Sequence, residues 1–161
     1  MSVNNYLDEL FNLEGKTAVI IGAGGYLCSE MARGFAKAGC AVAVLDLRLE
    51  KAKAVEDELK VMGCKKTMAL AIDVAKKEDH IQALDNIVKE LGHVDILVNG
   101  AGINGPTPFL KLGLEEWYAI LDSQITGTFL GCQVFGEHML ARGKGSIINI
   151  SSASAGPPLS K

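Results

Sequence analysis

Apolar residues gather in five short runs, at 17–21, 41–45, 67–72, 95–99 and 146–150, separated by stretches whose apolar positions return every three or four residues. Most runs are continuous in Val, Ile, Leu and Ala instead of alternating with polar residues, the pattern of strands covered on both faces. Strands that alternate with helical segments predict a parallel sheet with helices on both sides, because parallel neighbours need a crossover. The first crossover carries Leu27, Met31, Phe35 and Ala38 on one stripe and stops at Gly39. The second carries Ala52, Val55, Leu59 and Met62, mostly opposite Lys51, Lys53, Glu56, Asp57 and Lys60, and stops at Gly63. The third carries Ile81, Leu84, Val88 and Leu91 before Gly92. From 114 to 140 the period is helical but broken near Gly127, which predicts two consecutive helices or one long bent one.

The chain has 161 residues, which suits one core and predicts a single domain over 1–161. With 48% hydrophobic residues, 22% charged, Gly 18 and Pro 4, it is neither disordered nor collagen-like nor a coiled coil. A net charge of -3 without any block of like charge leaves no footprint for nucleic acid or an anionic membrane, so the expected partner is a small molecule. Cys28, Cys40, Cys64 and Cys132 form no CxxC pair and do not cluster with His80, His93 or His138, so no metal site and no disulfide framework is expected. The thiols read as packing residues, and free thiols imply a reducing compartment. The three histidines are expected in or beside polar helix surfaces, without a catalytic role, and Trp117, Phe129 and Phe135 in the core or at subunit contacts. No uncharged apolar stretch reaches the roughly 18 residues that span a bilayer, and Asp8, Glu9 and Glu14 precede the first apolar run. A soluble cytoplasmic protein is the expectation.

The candidate chemistry sits at strand ends. Gly22, Ala23, Gly24, Gly25, Tyr26, Leu27 and Cys28 form a glycine-rich turn between the first strand and the first helix. A diphosphate needs backbone N–H groups brought close, and a glycine turn opening a helix supplies them together with a favourable dipole. Asp46 closes the second strand, where a carboxylate accepts hydrogen bonds from both ribose hydroxyls and repels a 2'-phosphate. That predicts NAD over NADP, a preference Arg48 softens; the alternative is that Asp46 caps the helix beginning near Leu49. Asp73 and Asn99 end the third and fourth strands, and Gly100, Ala101 and Gly102 continue with small residues that let backbone lie against a flat ring; Asp and Asn at such ends also serve simply as turn formers.

From 16 to 161 these residues resemble the classical short-chain dehydrogenase/reductase family. The family's TGxxxGxG turn corresponds to 21–28, its strand-two acid to Asp46, its Asp-Val adenine contact to Asp73 and Val74, its NNAG motif to Asn99, Gly100, Ala101 and Gly102, and its serine segment to Asn149, Ile150, Ser151 and Ser152. The resemblance implies a Rossmann-type doubly wound parallel sheet, truncated after the fifth strand, and an NAD(P)-dependent oxidoreductase. Such an enzyme moves hydride between nicotinamide and a secondary alcohol or ketone, here on a sugar acid or polyol. It implies cofactor contacts from Gly22, Gly24, Gly25, Tyr26, Leu27, Asp46, Asp73, Val74, Asn99, Gly100, Ala101 and Gly102, and catalytic positions at Ser152 and Gln124. It also implies a homodimer or homotetramer through the helix carrying Thr126, Phe129, Gln133 and Val134.

The departures from the family pattern are specific. Tyr26 and Cys28 stand at the second and third glycine positions of the turn, which is similar to a subgroup acting on fructuronate and mannonate. Gly100 replaces the second Asn of NNAG, and Gln124 stands where the family has a catalytic Asn. The family's YxxxK motif has no counterpart, since none of Tyr6, Tyr26 and Tyr118 is followed four residues later by lysine. The expectation is therefore an N-terminal portion of a longer enzyme, inactive alone; the alternative is a nucleotide-binding module without turnover.

Overall fold

The computed structural model describes residues 10–152. Residues 1–9 and 153–161, and with them Tyr6 and the expected lead into an active-site helix at 157–161, lie outside the described residues. The strands are β1 (Thr17–Ile21), β2 (Ala41–Asp46), β3 (Thr67–Ala71), β4 (Ile96–Asn99) and β5 (Ser146–Asn149). The helices are α1 (Tyr26–Lys37), α2 (Leu49–Val61), α3 (Lys77–Leu91), α4 (Leu114–Leu121) and α5 (Gly127–Ala141). A single turn of π-helix, Asp122–Thr126, joins α4 to α5, so the break read near Gly127 is a bulge in one continuous helical run.

All four strand pairs are parallel and the order is β3-β2-β1-β4-β5. The chain leaves β1 in one direction for β2 and β3, then returns to its other side for β4 and β5, which opens a crevice at the carboxyl ends of β1 and β4. The register brings Ile21 level with both Leu45 and Asn99, so the segments that follow these residues emerge side by side. The alternation of side chains along buried strands then divides the core in two. Ala18, Ile20, Val42 and Val44 pack with Cys28 and Ala32 of α1 and Ala52, Val55 and Leu59 of α2. Val19, Ile21, Ala43, Leu45 and Leu97 pack with Ala83, Ile87 and Leu91 of α3 and Phe135 and Met139 of α5.

Burial on both faces holds for β1, β2 and β4 but not for the sheet edges: β3 is only partly buried and every residue of β5 is exposed. Among the described residues the edge strands have a neighbour on one side only, and runs of Ile and Val do not distinguish centre from edge. Two helical stripes are also rotated by one residue. In α1 the buried positions are Cys28, Ser29 and Ala32, while Leu27 is 54% exposed; in α3 they are His80, Ala83, Ile87 and Leu91, while Ile81 is 42% exposed. Two adjacent series satisfy a period of 3.6, and close packing on a sheet selects the one with small residues at the nearest approach.

His80 is thus fully buried and not on a polar surface. Its Nε2–H donates to the Val74 carbonyl at 2.9 Å, its ring meets Phe135 edge-on at 6.5 Å, and Nδ1 is buried without a hydrogen-bond partner among the described residues. His138 accepts the Val94 amide on Nε2 at 3.2 Å, which requires an unprotonated nitrogen there. Burial lowers the pKa of both rings, assisted at His138 by Arg142 and His93. The unfolded chain takes up these protons near the ordinary histidine value, about 6.5, so stability is complete above that pH and is lost as the pH falls below it. The urea unfolding midpoint is expected to drop between about pH 7 and about pH 5.5, and His80→Gln to shrink the drop. A wild-type midpoint unchanged or raised on acidification contradicts this.

Candidate functional site

The turn after β1 is built against β2. Gly22 and Ala23 donate their amides to the Leu45 carbonyl at 2.8 and 3.0 Å, Gly24 donates to Asp46 Oδ2 at 3.0 Å, and Gly25 donates to the Gly22 carbonyl at 3.1 Å. The glycine amides of the turn are therefore committed inside the protein. The groups left for a ligand are the amides of Tyr26, Leu27 and Cys28, the first turn of α1, which have no acceptor within the helix. Among the described residues no side chain caps this end and its first turn holds no acidic residue; the carboxylate beside it is that of Asp46, on the Gly24 amide. Gly22 has φ +82 and sits so close to the segment after β4 that a Cβ there would lie 2.8 Å from the Ala101 backbone.

Between these segments lies a cavity of about 710 Å³ at the carboxyl edge of the sheet. Gly22, Gly25, Asp46, Asp73, Val74, Gly100, Ala101 and Gly102 line it. Asp46 is held by the backbone, with Oδ2 accepting the Gly24 amide and Oδ1 the Arg48 amide, each at 3.0 Å. The residue that precedes α2 is Arg48, so Asp46 bridges two loops and does not cap that helix. Asp73 accepts the Ala75 amide on Oδ1 at 3.2 Å and pairs with Lys76 through Oδ2 at 3.2 Å; its own amide donates to Asp79 at 2.8 Å. Hydrogen bonding to Asp73 raises the pKa of the exposed Lys76 ammonium.

Other expected residues lie elsewhere. Gly24, Tyr26, Leu27 and Asn99 do not line the cavity. Asn99 is 5% exposed; its Nδ2 donates to Asn149 Oδ1 at 2.9 Å and to Cys132 Sγ of α5 at 3.5 Å, which ties β4 to β5 and the helix beneath the site. Gln124, in the π turn, donates from Nε2 to the Ile103 carbonyl at 2.7 Å and lines an adjoining pocket of about 180 Å³ with Asn104, Thr128, Ile150 and the 100–102 segment. Ser152 is exposed and lines neither cavity. The cavity also has walls the sequence did not signal: Leu47, Ile72 and Ile103, and Ala119, Asp122 and Ser123 from the junction of α4 with the π turn.

The profile of the short chain dehydrogenase family matches residues 16–160. The chain belongs to the short-chain dehydrogenase family. UxuB of Bacillus subtilis (strain 168), an uncharacterized oxidoreductase, is 38% identical, over 93% of this chain and 59% of that protein. A D-threitol dehydrogenase of Mycolicibacterium smegmatis is 36% identical, over 92% of this chain and 57% of its own length. The crystal structure of a gluconate 5-dehydrogenase from Burkholderia cenocepacia J2315, in complex with NADP and tartrate, superposes with a TM-score of 0.86 at 33% identity, over 96% of this chain and 60% of that one. The chain therefore spans rather less than two thirds of the length of the short-chain dehydrogenases it matches. Among the described residues no helix is long and apolar enough to cross a membrane.

Proposed function

We propose that this short-chain dehydrogenase binds NAD in the larger cavity and is an oxidoreductase acting on a secondary alcohol or ketone of a polyol or sugar acid. The observation that carries the reading is the juxtaposition of an uncapped helix start, a backbone-held carboxylate and a glycine-lined wall around one cavity of about 710 Å³. Its residues fit a dinucleotide. The Tyr26, Leu27 and Cys28 amides are suited to the diphosphate, and Asp46 to the adenosine ribose hydroxyls. Asp73 and Val74 are suited to the adenine, and the 100–102 segment to the far end of the cofactor. When bound, the nicotinamide supplies and accepts the hydride. Gln124 and Ser152 remain the candidate catalytic positions, Gln124 holding the Ile103 carbonyl at the mouth of the smaller pocket. The polar side chains of Asn104, Gln124 and Thr128 there suit a hydroxylated substrate, in keeping with the D-threitol and gluconate named for the relatives. Homo-oligomer formation through α5 is part of the same reading, supported by Ile125 and Phe129, which are 64% and 58% exposed on the π turn and α5.

Asp46 decides between the two cofactors. Its carboxylate favours NAD, and Arg48 beside it is the group available to a 2'-phosphate. Calorimetric titration of Asp46→Ala is expected to show NADH affinity reduced by about 10-fold or more, the loss of charge-assisted hydrogen bonds, with the preference over NADPH narrowed or reversed. Unchanged affinity for both dinucleotides removes Asp46 from the ribose site, and no binding of either by the wild type removes the whole reading.

A further inference from the structure

Two of the departures from the family pattern meet in space. Cys28 lies in the first turn of α1, 4% exposed, and Gly100 lies just after β4. The Cys28 sulfur is 3.8 Å from the Gly100 carbonyl oxygen, and a Cβ built on Gly100 would overlap that same sulfur. The added atom would also press on Ile150 Cγ1 at 3.3 Å and touch the Ile21 carbonyl oxygen at 3.4 Å. Where the family pattern has glycine, this chain has Cys28, and where the pattern has the second Asn, it has Gly100. The space holds a side chain from one segment or from the other, and not from both.

We infer that Cys28 and Gly100 are a matched exchange that sets the spacing between the start of α1 and the 100–102 wall, making Cys28 a positioning residue for the dinucleotide; the positioning role rests on the NAD reading above. Gly25, the residue that opens α1, and the 100–102 backbone both line the cavity, and the Cys28–Gly100 contact is one of the points where the two segments touch. Burial raises the pKa of the thiol, with Asp46 adding to the effect, so the sulfur stays protonated and acts as volume and as a weak donor to the Gly100 carbonyl. Restoring asparagine at 100 alone pushes the segments apart, removing the cysteine alone leaves a void between them, and making both changes moves the volume from one segment to the other.

The test is a double-mutant cycle in the full chain with Cys28→Gly, Gly100→Asn and the pair, reading urea unfolding and the NADH dissociation constant of folded protein. Gly100→Asn is expected to weaken NADH binding by about 30-fold and Cys28→Gly by about 3-fold, with the pair within about 3-fold of wild type, a coupling of the size contacting residues show. If Gly100→Asn does not fold, Gly100→Ala places only the offending carbon and carries the same cycle. Losses that multiply in the pair overturn the exchange. Coupling seen in unfolding with unchanged NADH affinities overturns the positioning role, because a purely structural contact moves only the midpoint. A wild type that binds no NADH, with coupled unfolding, overturns the NAD reading and the positioning role while the packing exchange stands.

Discussion

Replacing Gly22 with alanine is expected to weaken NADH binding by about 100-fold and to destabilise the fold by about 2–4 kcal/mol. Two effects add at this residue. Its φ of +82 is a conformation that costs an L side chain about 1–2 kcal/mol. Its Cβ would lie 2.8 Å from the Ala101 Cα and amide nitrogen and 2.9 Å from the Gly100 carbonyl carbon, all of them backbone, so the strain cannot be relieved by a rotamer change. Relief has to come from separating the turn from the 100–102 segment, and that moves the first amides of α1 and one wall of the cavity together. Gly63 is the control: its φ is +87, nothing lies within 4 Å of its Cβ position, and it follows α2 away from the cavity. Gly63→Ala is expected to show the conformational cost alone, about 1–2 kcal/mol, with NADH affinity unchanged. Equal affinities for the two variants mean that Gly22 does not shape the ligand site.

The parallel sheet was legible because its strands are short apolar runs divided by helical periods, a pattern few other folds produce. Legible too were Asp46, Asp73 and the 100–102 segment, since strand ends are read directly from where an apolar run stops, and all of them line the cavity. The phase of α1 and α3 was not, because Leu27 and Ile81 fit a helical period as well as Cys28 and His80 do, and only contact with the sheet chooses between them. The same limit hid the role of Asn99: position at a strand end places the residue, but its side chain is drawn under the sheet edge by Asn149. It also hid the commitment of the glycine amides to Leu45 and Asp46, which leaves the amides of Tyr26, Leu27 and Cys28 as the ones without an acceptor in the helix. Asp122 and Ser123 reach the cavity through a π turn, a single-residue bulge that leaves the apolar period almost intact and so leaves little trace in sequence.

Asp95→Ala is expected to destabilise the protein by about 3–5 kcal/mol while leaving the NADH affinity of the folded fraction unchanged. Asp95 lies just before β4, at the end of the sheet away from the cavity, and is 5% exposed. Its Oδ2 accepts the buried Thr17 amide at 3.0 Å and faces His93 Nε2 at 2.9 Å, and its Oδ1 receives both Arg142 Nη groups at 3.3 Å. One side chain thus joins the start of β1, the start of β4 and the residue that closes α5. Burial alone would raise the pKa of this carboxyl; the Thr17 amide, His93 and Arg142 outweigh it and hold the group below the ordinary carboxylate range. Alanine leaves the Thr17 amide without its acceptor and the guanidinium without its counter-charge, and the penalty is that of stranded polar groups more than of one lost contact. Asp95→Asn, which keeps an oxygen for Thr17, should lose roughly half as much. Because the folded pKa is depressed, the stabilisation from Asp95 is complete above the unfolded value, about 3.9, and is lost as the pH falls through the folded one. It therefore persists across the range where the buried histidines already weaken the fold, and because the Asp95 carboxylate opposes the lowering of the His138 pKa, stability in Asp95→Ala should fall more steeply than in wild type between about pH 7 and about pH 5.5. A loss smaller than about 1 kcal/mol in Asp95→Ala would mean that Thr17 and Arg142 find other partners and that the three elements are not joined through this carboxylate.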